Sequence, residues 1–273
     1  ANVRISCARS GLILTEFAGW GFIWIGINTV RPVRLGDVVI LNQRFWTGYF
    51  DTVFVPQIRE LVDTLGDRLL PAFDNLEAEA ERKFDEEYER LGSLPASEDV
   101  DMVDLAEKAM DAGVAHYQMM SGLRQGLQNM FAAALYHLYE QQVMLFHRRE
   151  VLDLREENDV ALFKHSVFLE RLLRHGVDVK SLVSWPLIDE LRLVANTAKH
   201  AEGDSASDLH SRRPELFIAP QVADLPFLGS KAVARVFQPV MGEDLYVSID
   251  DIKRYAVAVE QFWSELSDAM ARA

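Results

Sequence analysis

The chain has 273 residues, 49% of them apolar and 26% charged, enough for one large or two small domains with a real core. Forty-two acids against 28 bases give a net charge of −14. That balance argues against broad sequence-independent binding to nucleic acid, which rests on neutralising phosphates, and leaves room for a small local site. A single cysteine, Cys7, excludes an intramolecular disulfide and a cysteine-based zinc site, and the cytoplasm is the compartment that fits.

Residues 1–50 read as an apolar, partly extended N-terminal segment. The run from Gly11 to Ile27 raises a membrane reading, but Glu16 interrupts it. The rest, from Phe17 to Ile27, is too short to span a bilayer, so a buried or partner-facing role is expected and no membrane contact. Phe22, Trp24 and Gly26 alternate with Ile23, Ile25 and Ile27, and Pro32 and Gly36-Asp37 punctuate before Val38–Leu41. The pattern predicts two short strands, arranged as a hairpin that has to lean on a helical body or on another chain.

Residues 51–100 read as an acidic helical arm. From Pro56, the residues Ile58, Leu61, Val62 and Leu65 form one stripe, with Gly66 as its stop. Phe73, Leu76, Ala80, Phe84, Tyr88 and Leu91 then recur at helical spacing until Gly92–Pro95. Residues 74–104 hold twelve acids and three bases. This acidic face is either a solvated surface or a docking surface for a basic partner.

Residues 101–273 read as a helical bundle. No proline occurs over 101–149, and a stripe runs from Ala106 through Met110, Gly113, Tyr117, Met120, Arg124, Leu127, Phe131, Ala134, Leu138 and Gln141 to Leu145. Its steps alternate between four and three, which suits a long helix in an antiparallel bundle or at a two-fold interface. Gly122 and Gly126 admit a kink or a close approach by another helix. Arg124 either snorkels outward or enters a polar pocket. Further helices are expected over 157–175, stopping at Gly176, and over 187–200, with Pro186 in the first turn. A last helix starts at the cap Ser248. Residues 218–249 read as loop with a small hairpin, Ala232–Phe237 against Leu245–Ile249.

Chemistry has one candidate location. No histidine has a glutamate three residues before it, as a di-iron bundle requires, and His137-Leu-Tyr-Glu140 is incidental. Phosphate-cradling glycine loops, a nucleophile elbow and His-Glu-x-x-His are all absent, so no metal and no cofactor are implied. The stretch Leu187–His200 differs. At about 100° per residue, with Arg192 at zero, Lys199 falls near −20°, Asn196 near +40°, Asp189 near +60° and His200 near +80°. Leu187, Ile188, Leu191, Ala195 and Ala198 take an adjoining buried arc. In one reading these polar groups form surface pairs, with His200 favoured by the helix C-terminus. In the other, the imidazole moves a proton on RNA while Arg or Lys stabilises the phosphate, and the 2′-hydroxyl serves as nucleophile without a metal.

The segment Glu190-Leu-Arg192, continued by Ala195-Asn-Thr-Ala-Lys-His200-Ala-Glu-Gly203, resembles the signature helix of HEPN-type domains. These helical bundles, often dimeric, are common in bacterial toxin–antitoxin and phage-defence systems. Their active members are metal-independent endoribonucleases with an arginine a few residues ahead of a histidine. The resemblance implies a mainly α, antiparallel HEPN-like bundle over 101–273 and a homodimer whose two signature helices form a composite site. It implies that His200 is the general acid/base, that Asn196 orients the histidine or substrate, and that Arg192 and Lys199 contact phosphate. Arg212 and Arg213 would add local positive charge. The chain departs from the pattern in that Ala195 precedes Asn196 and seven residues separate Arg192 from His200. The alternative is a divergent member without cleavage, acting as a helical scaffold or regulatory subunit that docks a partner through residues 1–50 or the acidic helix.

Overall fold

The computed structural model describes residues 5–7, 13–15, 23–25, 33–35, 38–94, 102–222 and 235–273. The fold is mainly α. Five short strands precede the helices: β1 (Ile5–Cys7), β2 (Ile13–Thr15) and β3 (Ile23–Ile25) form one antiparallel sheet in that order, and β4 (Val33–Leu35) pairs with β5 (Val38–Ile40). The strand expected around Ile23–Ile25 therefore pairs backward with β2, and the hairpin lies entirely within 33–40. Among the described residues no helix is long and apolar enough to cross a membrane.

Helix α1 (Gln43–Tyr49) starts well before the expected Pro56, because the Asn42 side chain accepts from Phe45 N at 3.3 Å and caps it. It runs through a π-helical turn, Phe50–Phe54, into α2 (Val55–Asp63). Pro56 has no N–H to return to Thr52, and the widened turn just ahead of it takes up that mismatch. A second π stretch, Thr64–Leu69, carries the helix past Gly66, so the stop comes only at the 3-10 turn Leu70–Phe73, where Pro71 enters. Helix α3 (Leu76–Gly92) ends at Ser93 as the Gly-Ser-Leu-Pro sequence predicts.

Helix α4 (Met102–Phe146) is a single rod of 45 residues. Its buried face is not the regular apolar stripe. Asn129, Ala132, Leu135, Tyr136, Tyr139, Gln142, Val143 and Phe146 are buried, whereas Leu127, Phe131, Leu138 and Leu145 are half-buried and Met110 and Arg124 exposed. The core face is interrupted by amides, and each amide has a backbone to bind. Asn129 Nδ2 donates to the carbonyls of Pro239 (2.7 Å) and Leu245 (2.8 Å), and its Oδ1 accepts from Val247 N. These bonds replace the ladder of the expected hairpin: residues 245–248 form no strand, and residues 232–234 lie outside the described set. The close approach at the glycines is made by a turn. A Cβ on Gly122 would lie 2.7 Å from Met241 O.

Helix α5 (His165–Arg174) begins later than the expected 157, after a separate 3-10 turn, Val160–Leu162, capped by Asp159. It ends at Gly176, whose φ of +83° suits glycine. Helices α6 (Trp185–His200) and α7 (Asp204–Arg212) follow. The last, α8 (Ile249–Arg272), opens on a capping box: Ser248 Oγ accepts from Asp251 N at 3.0 Å while Asp251 Oδ2 accepts from Ser248 N at 3.1 Å.

Contacts group the chain into two compact units, each discontinuous in sequence: residues 1–58, 137–186 and 257–273, and residues 59–136 and 187–256. The first unit has an aromatic core, in which Phe50 and Phe54 meet Trp263 at 4.6 and 4.7 Å between ring centroids and Trp46 meets Phe146 at 4.9 Å. Its indoles are satisfied: Trp263 donates to Gln142 Oε1 and Trp46 to Glu150 Oε2. Burial pushes the Glu150 carboxyl up from its ordinary range. In the second unit α3 packs tightly on α4 at Gly113, where a Cβ would stand 2.8 Å from Ala80 O.

Candidate functional site

Helix α6 is buried over more than half of its circumference. Leu191, Ile188, Ala195 and Ala198 are covered as the sequence predicts, and so are Leu193, Val194 and Thr197 on the far side. Taken together these residues close an arc of about 220°, leaving open the sector from about −20° to +80°. The five polar side chains occupy the one sector that faces solvent. Their clustering therefore follows from packing before any chemistry is invoked.

Within that sector Asp189 and Arg192 are paired. Asp189 Oδ1 accepts from Arg192 Nε and Nη2 at 2.9 and 2.8 Å, and its Oδ2 accepts from Arg212 Nη1 of α7 at 2.8 Å. Burial pushes the Asp189 carboxyl up, but the two guanidinium groups outweigh it and hold the pKa below the ordinary value. Asn196 Nδ2 donates to Ser205 Oγ at 3.3 Å. Lys199 and His200 are exposed and take no hydrogen bond or ion pair among the described residues. The chain then turns through Ala201, at φ +58°, and Gly203, at φ +153°.

Arg213 belongs to a different cluster. Its side chain is 16% exposed and reaches Glu190 and Glu215, with Asp251 at 2.9 Å. Glu190 also accepts from Arg254 and from Tyr255 Oη, each at 2.7 Å. Burial works against the Arg213 cation, yet the carboxylates Glu215 and Asp251 raise its pKa on balance. Glu190 stands on the buried side of α6, near +160°, and this partner of Arg213 carries no periodic signal.

The structure thus brings Asp189, Arg192 and Arg212 together, sets Asn196 against α7, and leaves Lys199 and His200 open at the end of the helix. Arg192 and His200 are eight residues apart, about 12 Å along the axis, and the bond to Asp189 draws the guanidinium toward the opposite end. Ala195, where the resemblance would place arginine, is 5% exposed and points into the covered arc. No three His, Cys, Asp or Glu side chains gather as a metal set among the described residues.

Another open feature of this unit is a groove of about 1440 Å³ between α3 and α4, closed at one end by the Gln238–Glu243 turn. Arg124 lies on its edge, which places that side chain outward rather than in a bundle interior. No family model matches this chain, and neither a curated protein nor a solved structure matches it.

Proposed function

We propose that this protein works by binding rather than by cleavage, as a HEPN-like helical regulatory or scaffold subunit, of the defence or toxin type that α6 resembles. The observation that carries the reading is the internal pairing of the arginines on and beside α6. Asp189 holds Arg192 and Arg212, and Arg213 lies among three carboxylates. A phosphate would have to displace internal carboxylates to reach them, and the position next to Asn196 offers a buried alanine.

One observation favours the second reading, a metal-independent endoribonuclease. Lys199 and His200 are open and unpartnered among the described residues at the end of α6, where the same helix of a second copy would complete a site. A proton-transfer group needs only access to its substrate. Incubation of structured and unstructured RNAs with the purified protein separates the two readings. Intact RNA at high protein concentration is the outcome expected. Cleavage that survives chelators and disappears in His200→Ala overturns the binding reading.

A further inference from the structure

We propose that the α3/α4 groove is the receptor site for a cationic amphipathic helix of another protein; this rests on the binding reading above and names its partner chemistry. The walls are apolar: Phe73 and Phe84 on one side, Met110, Val114 and Met119 on the other, and Met241 at the closed end. Several of these face solvent, Met110 being 63% exposed, although Gly113 brings the two helices into contact directly beneath. Flexible thioether side chains adapt to an incoming surface, and water-exposed apolar area of this kind is stabilised when covered. The cavity exceeds the roughly 300–1000 Å³ of small-molecule pockets, and α4 lines it from Met110 to Gln128, about 27 Å, the length of a five-turn helix.

Charge selects the occupant. Asp74, Glu77, Glu81 and Glu243 line the groove against a single base, Arg124. Asp74, Glu81 and Glu243 have no side-chain hydrogen bond or ion pair among the described residues, so no described cation offsets their charge. Glu77 takes only a 3.4 Å contact from Tyr117 Oη. Nucleic acid is repelled by this rim, and so is a second copy of a chain carrying −14. An amphipathic helix with Leu- or Phe-type residues at i, i+3/i+4 and i+7 and lysine or arginine flanking them satisfies both walls and rim.

The test uses the full chain and a fluorescein-labelled Leu/Lys peptide of about 18 residues with helical apolar periodicity. Two controls accompany it: the same composition scrambled, and the Leu/Glu counterpart. Anisotropy should show saturable one-to-one binding of the periodic peptide, weakened by added salt, with the scramble at least roughly tenfold weaker and the Glu peptide silent. Met110→Gln combined with Glu81→Lys, both on exposed side chains, should weaken binding by roughly tenfold or more without moving the thermal transition. Met130→Gln, an exposed position of α4 outside the groove, should leave binding as it is. Equal binding of the scrambled peptide, or indifference to the double variant, overturns the proposal. So does a wild-type dimer that the double variant turns into monomer, because the occupant is then a second copy. RNA cleavage would defeat the binding reading without touching these titrations. Absent peptide binding with intact RNA would defeat the groove alone.

Discussion

The α6–α7 corner and the α3/α4 groove belong to the same compact unit and are both rich in charge, yet they handle it in opposite ways. At the corner, Asp189 is shared by Arg192 and Arg212, while Glu190 and Asp251 meet Arg213 and Arg254, so each of these charges has a partner inside the fold. At the groove, three acids stand over apolar walls with no counter-ion among the described residues. A charge already paired inside the fold contributes to stability, and drawing it toward a ligand costs its internal bond first. An unpaired charge beside uncovered apolar surface is available for recognition. A dense polar stripe on a helix is therefore weaker evidence of a site than a sparse one with no partners.

The contrast breaks if the corner proves dispensable for folding. Arg213→Ala is the sharpest probe, because it strips the cation from Glu190 and Asp251, both largely covered. Its removal leaves two largely covered carboxylates sharing the one half-exposed cation Arg254, and a loss of about 2 kcal/mol in urea unfolding is expected. A loss near zero would place the cluster among ordinary surface pairs. The substitutions in the groove should by comparison leave unfolding nearly unmoved.

The histidines repeat the contrast at a second place. His147 is fully buried, its Nε2 3.1 Å from Leu162 O and its Nδ1 without a partner among the described residues, and burial pushes its pKa down from 6.5 to about 4. Between those values the unfolded chain holds the proton and the folded chain does not. Stability should fall as pH drops from about 6.5 to about 4, by up to about 1.4 kcal/mol per pH unit, and this contribution levels off below. His147→Gln keeps a donor for Leu162 O and should flatten the slope in urea titrations between pH 7 and 5. A steep slope surviving in His147→Gln would assign the pH dependence elsewhere.

These two regions also show where the chain is legible from its residues. The ends of α3, α5 and α8 follow from local chemistry, since the Gly-Ser-Leu-Pro stop, Gly176 and the Ser248–Asp251 box act within a few residues of themselves. The solvent-facing sector of α6 follows too, because its polar residues share one arc. The buried face of α4 does not, because Asn129 and Gln142 are buried where apolar periodicity fails. Their partners, Pro239, Leu245 and Phe54, lie about 90 to 120 residues away in sequence. The same holds for the site. Nothing local says that Arg212 reaches back to Asp189, or that Glu190, outside the polar arc, meets Arg213.

The smallest effect tests the corner at its exposed edge. Arg192→Ala removes two of the three hydrogen bonds to Asp189, but Arg212 remains on the other carboxylate oxygen. Both guanidinium groups are more than a third exposed, so solvent already screens the pairing, and a stability change below about 1 kcal/mol is expected. The Asp189 pKa, held down by both cations, should rise toward the ordinary carboxylate value, readable by NMR titration of its side chain. A lowered carboxylate pKa contributes stability that is present above the unfolded pKa and lost as pH falls through the folded one. Any penalty of Arg192→Ala should thus be visible at neutral pH and vanish in strong acid. A penalty of several kcal/mol would mean that the open sector of α6 is as tightly built as the Arg213 cluster. The distinction between a solvent-facing pair and a buried clamp would then have to be abandoned for this helix.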